Sequence, residues 1–396
     1  EEKLSNIHHA NNAFKLIDEL ETCVVLAFDV SSFFDILDHQ VLKNAWLTIL
    51  NSQLDSENQH VKLPNDHYSV FKSLTNYSYV ERENVYDIFG ISSNNPSGIS
   101  QQIIKEMKYK SLDINKYPET KGKNRSRICS TKGFRKFVVP IIKQNKKLKG
   151  IPQGSPMSGL LSNIFMIDFD KELKTYLITK NGHYVRYCDD LLCIVPIKNR
   201  DEIFSISNDL EDFVYHLAQK FKLEVNQKKT EKFAFMPTFQ LGATYQGEVS
   251  PRFPSRKRTE LSCAKIEKNG TLIYDKLQYL GFNYDGSKVT IRSSSMMRYK
   301  KKMKRGINYH LKLRNKHAPD DELKTRKLAF LYDKSFKGLS NFPTYAKRAN
   351  NILEKSAVRF QMKNRTAEIQ NQIDKISFRI EQAKQRKEDA KKNKKK

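Results

Sequence analysis

Asp189 and Asp190 stand side by side in Tyr184-Val185-Arg186-Tyr187-Cys188-Asp189-Asp190-Leu191-Leu192-Cys193-Ile194-Val195, between two apolar, β-prone runs. That pattern predicts a hairpin with both acids at its tip. Paired carboxylates on a rigid turn suit Mg²⁺, which takes hard oxygen ligands and few protein groups. A further carboxylate, Asp29, ends the apolar strand Leu26-Ala27-Phe28 and precedes a turn into a helix. If the two strands are neighbours, three carboxylates converge, and such a set holds two cations roughly 4 Å apart for phosphoryl transfer. A third candidate is the loop Gly150-Ile151-Pro152-Gln153-Gly154-Ser155-Pro156-Met157-Ser158-Gly159, which opens an apolar helical run. Gly and Pro fix a tight loop there, and Gly lets a bulky ligand approach the backbone. Taken singly, each feature also has an ordinary reading, as a solvated acidic turn or a turn before a core helix.

Those residues need elements to hold them. Residues 1–24 read as a polar stretch and an amphipathic helix with Ala13, Leu16, Ile17 and Leu20 on one face. The strand bearing Asp29 follows, then a helix through Val41-Leu42-Lys43-Asn44-Ala45-Trp46-Leu47. Residues 151–235 alternate strand and helix, and Ile206, Leu210, Phe213, Val214 and Leu217 form a core stripe at helical spacing. Residues 237–276 hold Pro237, Gly242, Gly247, Pro251 and Pro254 beside Arg252, Arg256, Lys257 and Arg258, which predicts a β-rich excursion. Helices are expected from residue 290 onward. The last is long and amphipathic, with Ile369, Ile373, Ile376, Ile380 and Ala383 at heptad-like spacing, and it is expected to end in a disordered basic tail.

Composition bounds what these elements can do. At 396 residues, with 38% hydrophobic residues, 23 Phe and 18 Tyr, the chain can bury more than one core. It has no apolar run of about 18 residues and no signal-peptide pattern, which argues against a membrane-spanning helix, while its scattered cysteines make a reducing cytosol the expected compartment. The formal net charge of +27 points to a polyanionic partner, and much of it lies in the C-terminal part of the chain. Cys23, Cys129, Cys188, Cys193 and Cys263 show no CxxC spacing, so neither a disulfide framework nor a zinc site is expected. His8, His9 and His39 offer no facing pair beyond adjacent residues.

In their order along the chain, these segments resemble reverse transcriptases. Phe28-Asp29-Val30-Ser31-Ser32-Phe33-Phe34-Asp35 is similar to that family's motif A, Ile151-Pro152-Gln153-Gly154-Ser155-Pro156 to motif B, and Tyr187-Cys188-Asp189-Asp190 to motif C, where Ala or Met is more usual than Cys188. Leu223-Glu224-Val225-Asn226-Gln227-Lys228-Lys229-Thr230 is similar to motif D, and Leu277-Gln278-Tyr279-Leu280-Gly281-Phe282 to motif E, the primer grip. The resemblance is greatest to the bacterial defence-associated, abortive-infection type, with retron and group II intron enzymes as relatives. The Val-Thr-Gly thumb signature usual in retron enzymes is absent, and no RNase H, integrase or endonuclease signature follows.

The resemblance implies an α+β, right-hand polymerase fold with an antiparallel-sheet palm, fingers and a helical thumb. On that plan residues 1–50 start the palm with motif A, 51–145 are fingers enlarged by an insertion between motifs A and B, and 146–288 are palm. Residues 289–385 are then the helical thumb and C-terminal helix, and 386–396 a basic tail. The family places much of its fingers before motif A. A segment missing from this sequence is therefore expected over rebuilt fingers, for which the basic stretch at 125–136 is a weaker substitute.

The resemblance also implies roles. Asp29, Asp189 and Asp190, with the Val30 carbonyl, hold two Mg²⁺ ions, for which Mn²⁺ can substitute. Phe34 excludes a ribose 2′-hydroxyl, and Gln153 and Gly154 line the nucleotide pocket. Lys229 lies near the pyrophosphate and protonates it on leaving. Tyr279, Leu280 and Gly281 hold the primer end. Arg298, Lys300, Lys301 and Lys304 in the thumb contact duplex phosphates, against the alternative of a solvated helix face. Cys188 reads as a small filler rather than a reactive thiol.

The function expected is RNA-directed DNA polymerisation from dNTPs, copying a non-coding RNA into DNA in antiphage defence. Untemplated or protein-primed synthesis by the same site stays open, as do an RNA-dependent RNA polymerase and a catalytically silent RNA-binding scaffold. A homo-oligomer or a partner protein is also left open.

Overall fold

The computed structural model describes residues 5–88, 131–242, 244, 259–317, 342–363 and 365–393. Among these residues the strands are β1 (Cys23–Asp29), β2 (Ser78–Tyr79), β3 (Lys143–Gln144), β4 (His183–Tyr187), β5 (Asp190–Pro196), β6 (Glu231–Pro237), β7 (Leu261–Ile266), β8 (Leu272–Tyr274), β9 (Leu277–Tyr279), β10 (Phe282–Tyr284) and β11 (Val289–Ile291). The chain forms two compact units. The first comprises Glu1–Ser31, Asp170–Lys220 and Glu224–Lys396, and the second Ser32–Phe169 and Phe221–Leu223. The breaks at Ser31/Ser32 and Phe169/Asp170 differ from the boundaries expected after residues 50, 145 and 288.

The first unit is built on a six-stranded antiparallel sheet of order β4-β5-β1-β6-β7-β8. β1 is apolar along nearly its whole length because both of its faces are covered. On one face, the helix Asn6–Leu20 buries Ile7, Ala13, Phe14 and Ile17 in one core with Cys23, Val25, Leu192 and Phe233. The helix Glu202–Lys220 packs along β1, and Tyr215 meets the Phe28 ring edge-on at 6.2 Å. It buries Ile203, Leu210, Val214 and Leu217 at the i, i+7, i+11, i+14 spacing of one helix face. Ile206 and Phe213, expected in that stripe, are only half-buried, and Phe213 instead stacks on Tyr176 at 3.7 Å.

A second, three-stranded sheet of order β11-β10-β9 shares the core with the helix Asn6–Leu20, through Leu277, Tyr279, Phe282, Tyr284, Val289 and Ile291. The Tyr284 hydroxyl donates to Asp18 of that helix, and Lys355 Nζ lies 2.6 Å from the same carboxylate. Beyond β11, helices span Ser293–His317, Phe342–Ile352, Val358–Gln361 and Arg365–Asn393. The last of these corrects the expectation of a disordered tail, since helix persists to Asn393. Residues 381–393 contain neither Gly nor Pro and are rich in Lys, Ala, Glu, Gln and Arg, which favour helix. Of the heptad positions, Ile373 and Ile376 are buried, while the side chains of Ile369, Ile380 and Ala383 and residues 394–396 lie outside the described residues. Among the described residues no helix is long and apolar enough to cross a membrane.

The second unit holds the helices His39–Asn51, Asn65–Thr75 and Ser158–Phe165 and the two-stranded β2–β3. Asp38 caps the first of these, accepting from the N–H groups of Gln40 and Val41 at 3.0 Å each. Of the expected insertion, residues 89–130 lie outside the described residues, and with them the basic run at 121–127 and the first half of the stretch at 125–136. Arg252, Arg256, Lys257 and Arg258 lie outside them as well.

Candidate active site

β1 and β5 pair antiparallel from Cys23↔Pro196 to Asp29↔Asp190, so the last residue of one strand faces the first of the other. Directly opposed Cα atoms in such a ladder are about 4.5–5.5 Å apart, which sets the two carboxylates against each other. The ladder continues one step, with Val30 N–H donating to the Asp189 carbonyl at 3.3 Å. Tyr187 pairs with Asp190, leaving Cys188 and Asp189 as a two-residue hairpin loop. Cys188 has φ 58°, the positive value that such hairpin turns demand of their first loop residue. The three acids therefore reach one strand edge through backbone register alone.

Side chains then fix that edge. Arg186 donates from Nε to Asp170 Oδ1 at 2.9 Å and from Nη2 to Oδ2 at 2.7 Å, and from Nη1 to the Cys188 carbonyl at 3.1 Å. Tyr184 adds a bond to Asp170 at 2.8 Å. The pair is largely enclosed, with side chains 11% and 20% exposed, so the hairpin tip is held by a charge-assisted fork. Lys229, from the turn after Asn226, places Nζ 2.8 Å from Asp29 Oδ2, and this contact raises its pKa. Asn226 N–H donates to the Asp29 carbonyl and Ser31 N–H to the Glu224 carbonyl. Those two bonds make the Val30–Val225 bridge without using the Val30 carbonyl.

Asp189 and Asp190 line a cavity of about 440 Å³ together with Tyr279, Leu280, Gly281 and Arg292. Tyr279 pairs with Phe282, so Leu280 and Gly281 form the loop of the β9–β10 hairpin, with φ 47° and 91°. A type I′ turn needs positive φ at both positions, which Gly281 meets without strain. Asn6 Nδ2 donates to the Leu280 carbonyl at 3.2 Å and ties this turn to the N-terminal helix. Tyr279 is 3% exposed, and its hydroxyl is a buried polar atom without a hydrogen-bond partner among the described residues.

Burial first, then the charges of Asp189 and Asp29, push the Asp190 carboxyl up to about 6, while Arg292 and Lys229 pull it down. Like charges crowded at a half-buried edge are relieved by a bound divalent cation. Among the described residues, no group of three or more His, Cys, Asp and Glu side chains could hold a metal ion by itself. The donor set thus fits a hard cation bound through one or two carboxylates and completed by water and substrate phosphates. Burial first, and then Asp189, push the Cys188 thiol up, which disfavours the thiolate. Arg186, Arg292 and Asn6 escaped the sequence reading. Each acts on a residue distant in sequence, and no local spacing signals that.

The remaining candidates lie elsewhere. Phe34, Gln153 and Gly154 fold in the second unit. There Ile151 N–H donates to the Phe34 carbonyl and Gly150 N–H to the Leu37 carbonyl, both at 2.8 Å, so the loop and the segment after β1 are zipped together. Gly150 has φ 86°, and a Cβ there would meet the Asp35 carbonyl oxygen at 2.8 Å. Phe33 is buried in the core, and Phe34 is half-buried with its ring edge-on to it. Gln153 and Gly154 are exposed. His39 is a structural histidine whose Nε2 lies 2.7 Å from the Gly150 carbonyl. On the helix Ser293–His317, Tyr299 and Met303 turn inward, while Arg298, Lys300, Lys301 and Lys304 are exposed. Lys300 is spent on an ion pair with Glu368 at 2.7 Å.

Residues 123–284 match the family of reverse transcriptases (RNA-dependent DNA polymerases), a segment that includes the Asp189–Asp190 hairpin and the β9–β10 turn but not Asp29. No curated protein matches the chain in a sequence search. Among solved structures, it is similar to telomerase from Candida tropicalis truncated from the C-terminal domain, at 15% identity over 72% of this chain and 39% of that one, with a TM-score of 0.32. Telomerase from Candida albicans, in complex with a TWJ fragment of telomeric RNA, gives 13% identity over 91% and 43%, with a TM-score of 0.34. The chain thus spans less than half the length of these two telomerase chains, and at such TM-scores the likeness carries no argument. Helices with an antiparallel sheet, and the match over 123–284, accord with a polymerase palm. The matched segment, less than half of the chain, is similar to a reverse transcriptase domain.

Proposed function

We propose that this protein copies an RNA template into DNA from dNTPs at the Asp29, Asp189 and Asp190 edge, with two Mg²⁺ ions as cofactor. The observation that carries the reading is the Asp29↔Asp190 pairing, with Asp189 in the adjoining turn. When bound, the ions would activate the primer 3′-hydroxyl and neutralise charge on the triphosphate. The chain supplies the rest by position. Asp29, Asp189, Asp190 and the Val30 carbonyl offer oxygen ligands. Lys229, held protonated by Asp29, is the proton donor to the departing pyrophosphate once it leaves that carboxylate. Tyr279, Leu280 and Gly281 grip the primer end in the same cavity as Asp189 and Asp190. Phe34 selects deoxynucleotides, with Gln153 and Gly154 lining the nucleotide pocket.

The same reading assigns fingers to the segment between motifs A and B, and a duplex-gripping thumb to the helices after β11. The net charge of +27 suits a dedicated non-coding RNA template, and antiphage defence is the role proposed. Primer extension on an RNA template with Mg²⁺, comparing deoxy- with ribonucleotides, tests this. Extension with deoxynucleotides, and a raised ribonucleotide share in Phe34→Ala, are expected. Extension with ribonucleotides alone by the parent would replace the reading with an RNA polymerase. Sequencing the nucleic acid that co-purifies should return one structured RNA and its DNA copy. Bulk cellular RNA without a DNA copy would refute the dedicated template.

A further inference from the structure

Within the first unit but away from the carboxylates, the helices Phe342–Ile352 and Val358–Gln361 and the residues after them line a cavity of about 770 Å³. Lys347, Arg359 and Lys363 line it, with Asn351, Phe360 and Met362, and among the described residues no Asp or Glu does. Other lysines of the same unit are neutralised within the fold. Lys355 pairs with Asp18 and Lys15 with Glu354, each at 2.6 Å. Cations gathered without a carboxylate among them await an anion from outside.

The corner between the two helices is rigid. Ala357 N–H donates to the Val289 carbonyl at 2.8 Å, and Val289 N–H to the Lys355 carbonyl at 2.9 Å. The Gln361 side chain exchanges both amide bonds with Ile291, at 2.8 and 2.9 Å, as an added strand would. Asn350 Oδ1 accepts from Arg359 N–H at 3.2 Å. Val358 and Met362 are buried by this arrangement, yet Phe360 between them is 75% exposed. A ring so exposed gives little to folding. On a hydrogen-bonded backbone it lines the cavity.

We infer that this cavity binds single-stranded nucleic acid, with a base stacked on Phe360 and the backbone phosphates on Lys347, Arg359 and Lys363. Sites for single strands combine an aromatic platform with cations tracking the phosphates, and this corner has both. Its volume falls within the range of small-ligand pockets, roughly 300–1,000 Å³. A duplex cannot use the ring, because its bases are already stacked on one another. The site is separate from the carboxylate cavity and does not depend on the chain being a polymerase.

Fluorescence anisotropy of the full chain with labelled oligo-U and oligo-dT of about 12 nucleotides, and with a duplex of the same length, tests this. Phe360→Ala should weaken both single strands roughly tenfold, and Phe360→Trp should restore them. Duplex binding should fall far less than single-strand binding in Phe360→Ala. Replacing Lys347, Arg359 and Lys363 together by Gln should lower the slope of log affinity against log salt for single strands by up to about 2. Thermal melting confirms that the variants fold. If Phe360→Ala binds both single strands as the parent does, or weakens duplex equally, the inference is wrong. Because binding needs no catalysis, that failure is distinct from a failure to extend primers.

Discussion

Two cavities of the first unit hold opposite charge by different means. At the carboxylate edge, Asp29, Asp189 and Asp190 are brought together by strand register and a two-residue turn, so their placement follows from backbone hydrogen bonds. At the C-terminal corner, Lys347, Arg359 and Lys363 come from separate helices and a turn, and only packing on β11 gathers them. At the acidic edge burial, and after it the charges of Asp189 and Asp29, disfavour the charged Asp190 carboxylate, whereas the basic corner has long flexible side chains that spread into solvent. The difference teaches that backbone-built sites can hold unfavourable charge in place for a cation, while side-chain-built sites adapt to a polymer.

That contrast can be broken in several ways. The largest expected effect on stability is at Arg186. Its removal leaves Asp170 with an enclosed, unpaired charge, so Arg186→Met should lower unfolding free energy by about 3 kcal/mol in urea titrations. It should also slow synthesis, since the Cys188 carbonyl loses its anchor. A loss below about 1 kcal/mol would mean the backbone alone holds the edge.

Asp190→Asn should do the reverse for stability. The folded carboxyl titrates near 6 against an ordinary 3.8, so protonation favours the fold. That contribution is complete below the ordinary value and disappears as pH rises through about 6. The variant should therefore match the parent at about pH 4 and exceed its stability by about 1–2 kcal/mol above pH 7, allowing for solvent screening. Equal stability of parent and variant at both pH values would show that the acidic edge is not strained.

For duplex binding, Lys301→Gln with Lys304→Gln should reduce the slope of log affinity against log salt by up to about 2, and adding Lys300→Gln should change little further, because Glu368 already engages Lys300. A parental slope in the double variant would return this helix face to plain solvation. The smallest effect is at Lys229, where an exposed ion pair contributes under about 1 kcal/mol. Lys229→Ala should leave stability nearly unchanged while slowing nucleotide addition in single-turnover assays. An unaltered rate would remove Lys229 from proton transfer.

The acidic edge was legible in the sequence because its geometry is local. A strand ending at Asp29 and a hairpin tip at Asp189 and Asp190 follow from runs of apolar residues broken at fixed points. The same holds for the Leu280-Gly281 turn. Arg186 was not legible, since its partner Asp170 sits on a different element and nothing in the hairpin pattern signals the pairing. Nor was the corner around Phe360, whose three cations share no spacing. The last helix runs to Asn393, into a stretch whose charge suggests disorder, because its Lys, Glu and Ala residues favour helix.

The central claim is that Asp29, Asp189 and Asp190 form one catalytic edge. It is tested most directly by single-turnover primer extension with Mg²⁺, comparing the parent with Asp29→Asn and with Asp189→Ala combined with Asp190→Ala. Both variants should melt cooperatively like folded protein and bind primer–template, yet lose at least about a thousandfold in rate, because phosphoryl transfer at such sites depends on the metal. Chelating the metal from the parent should reproduce the same loss. A folded variant of either kind that extends primers at the parental rate would contradict the account.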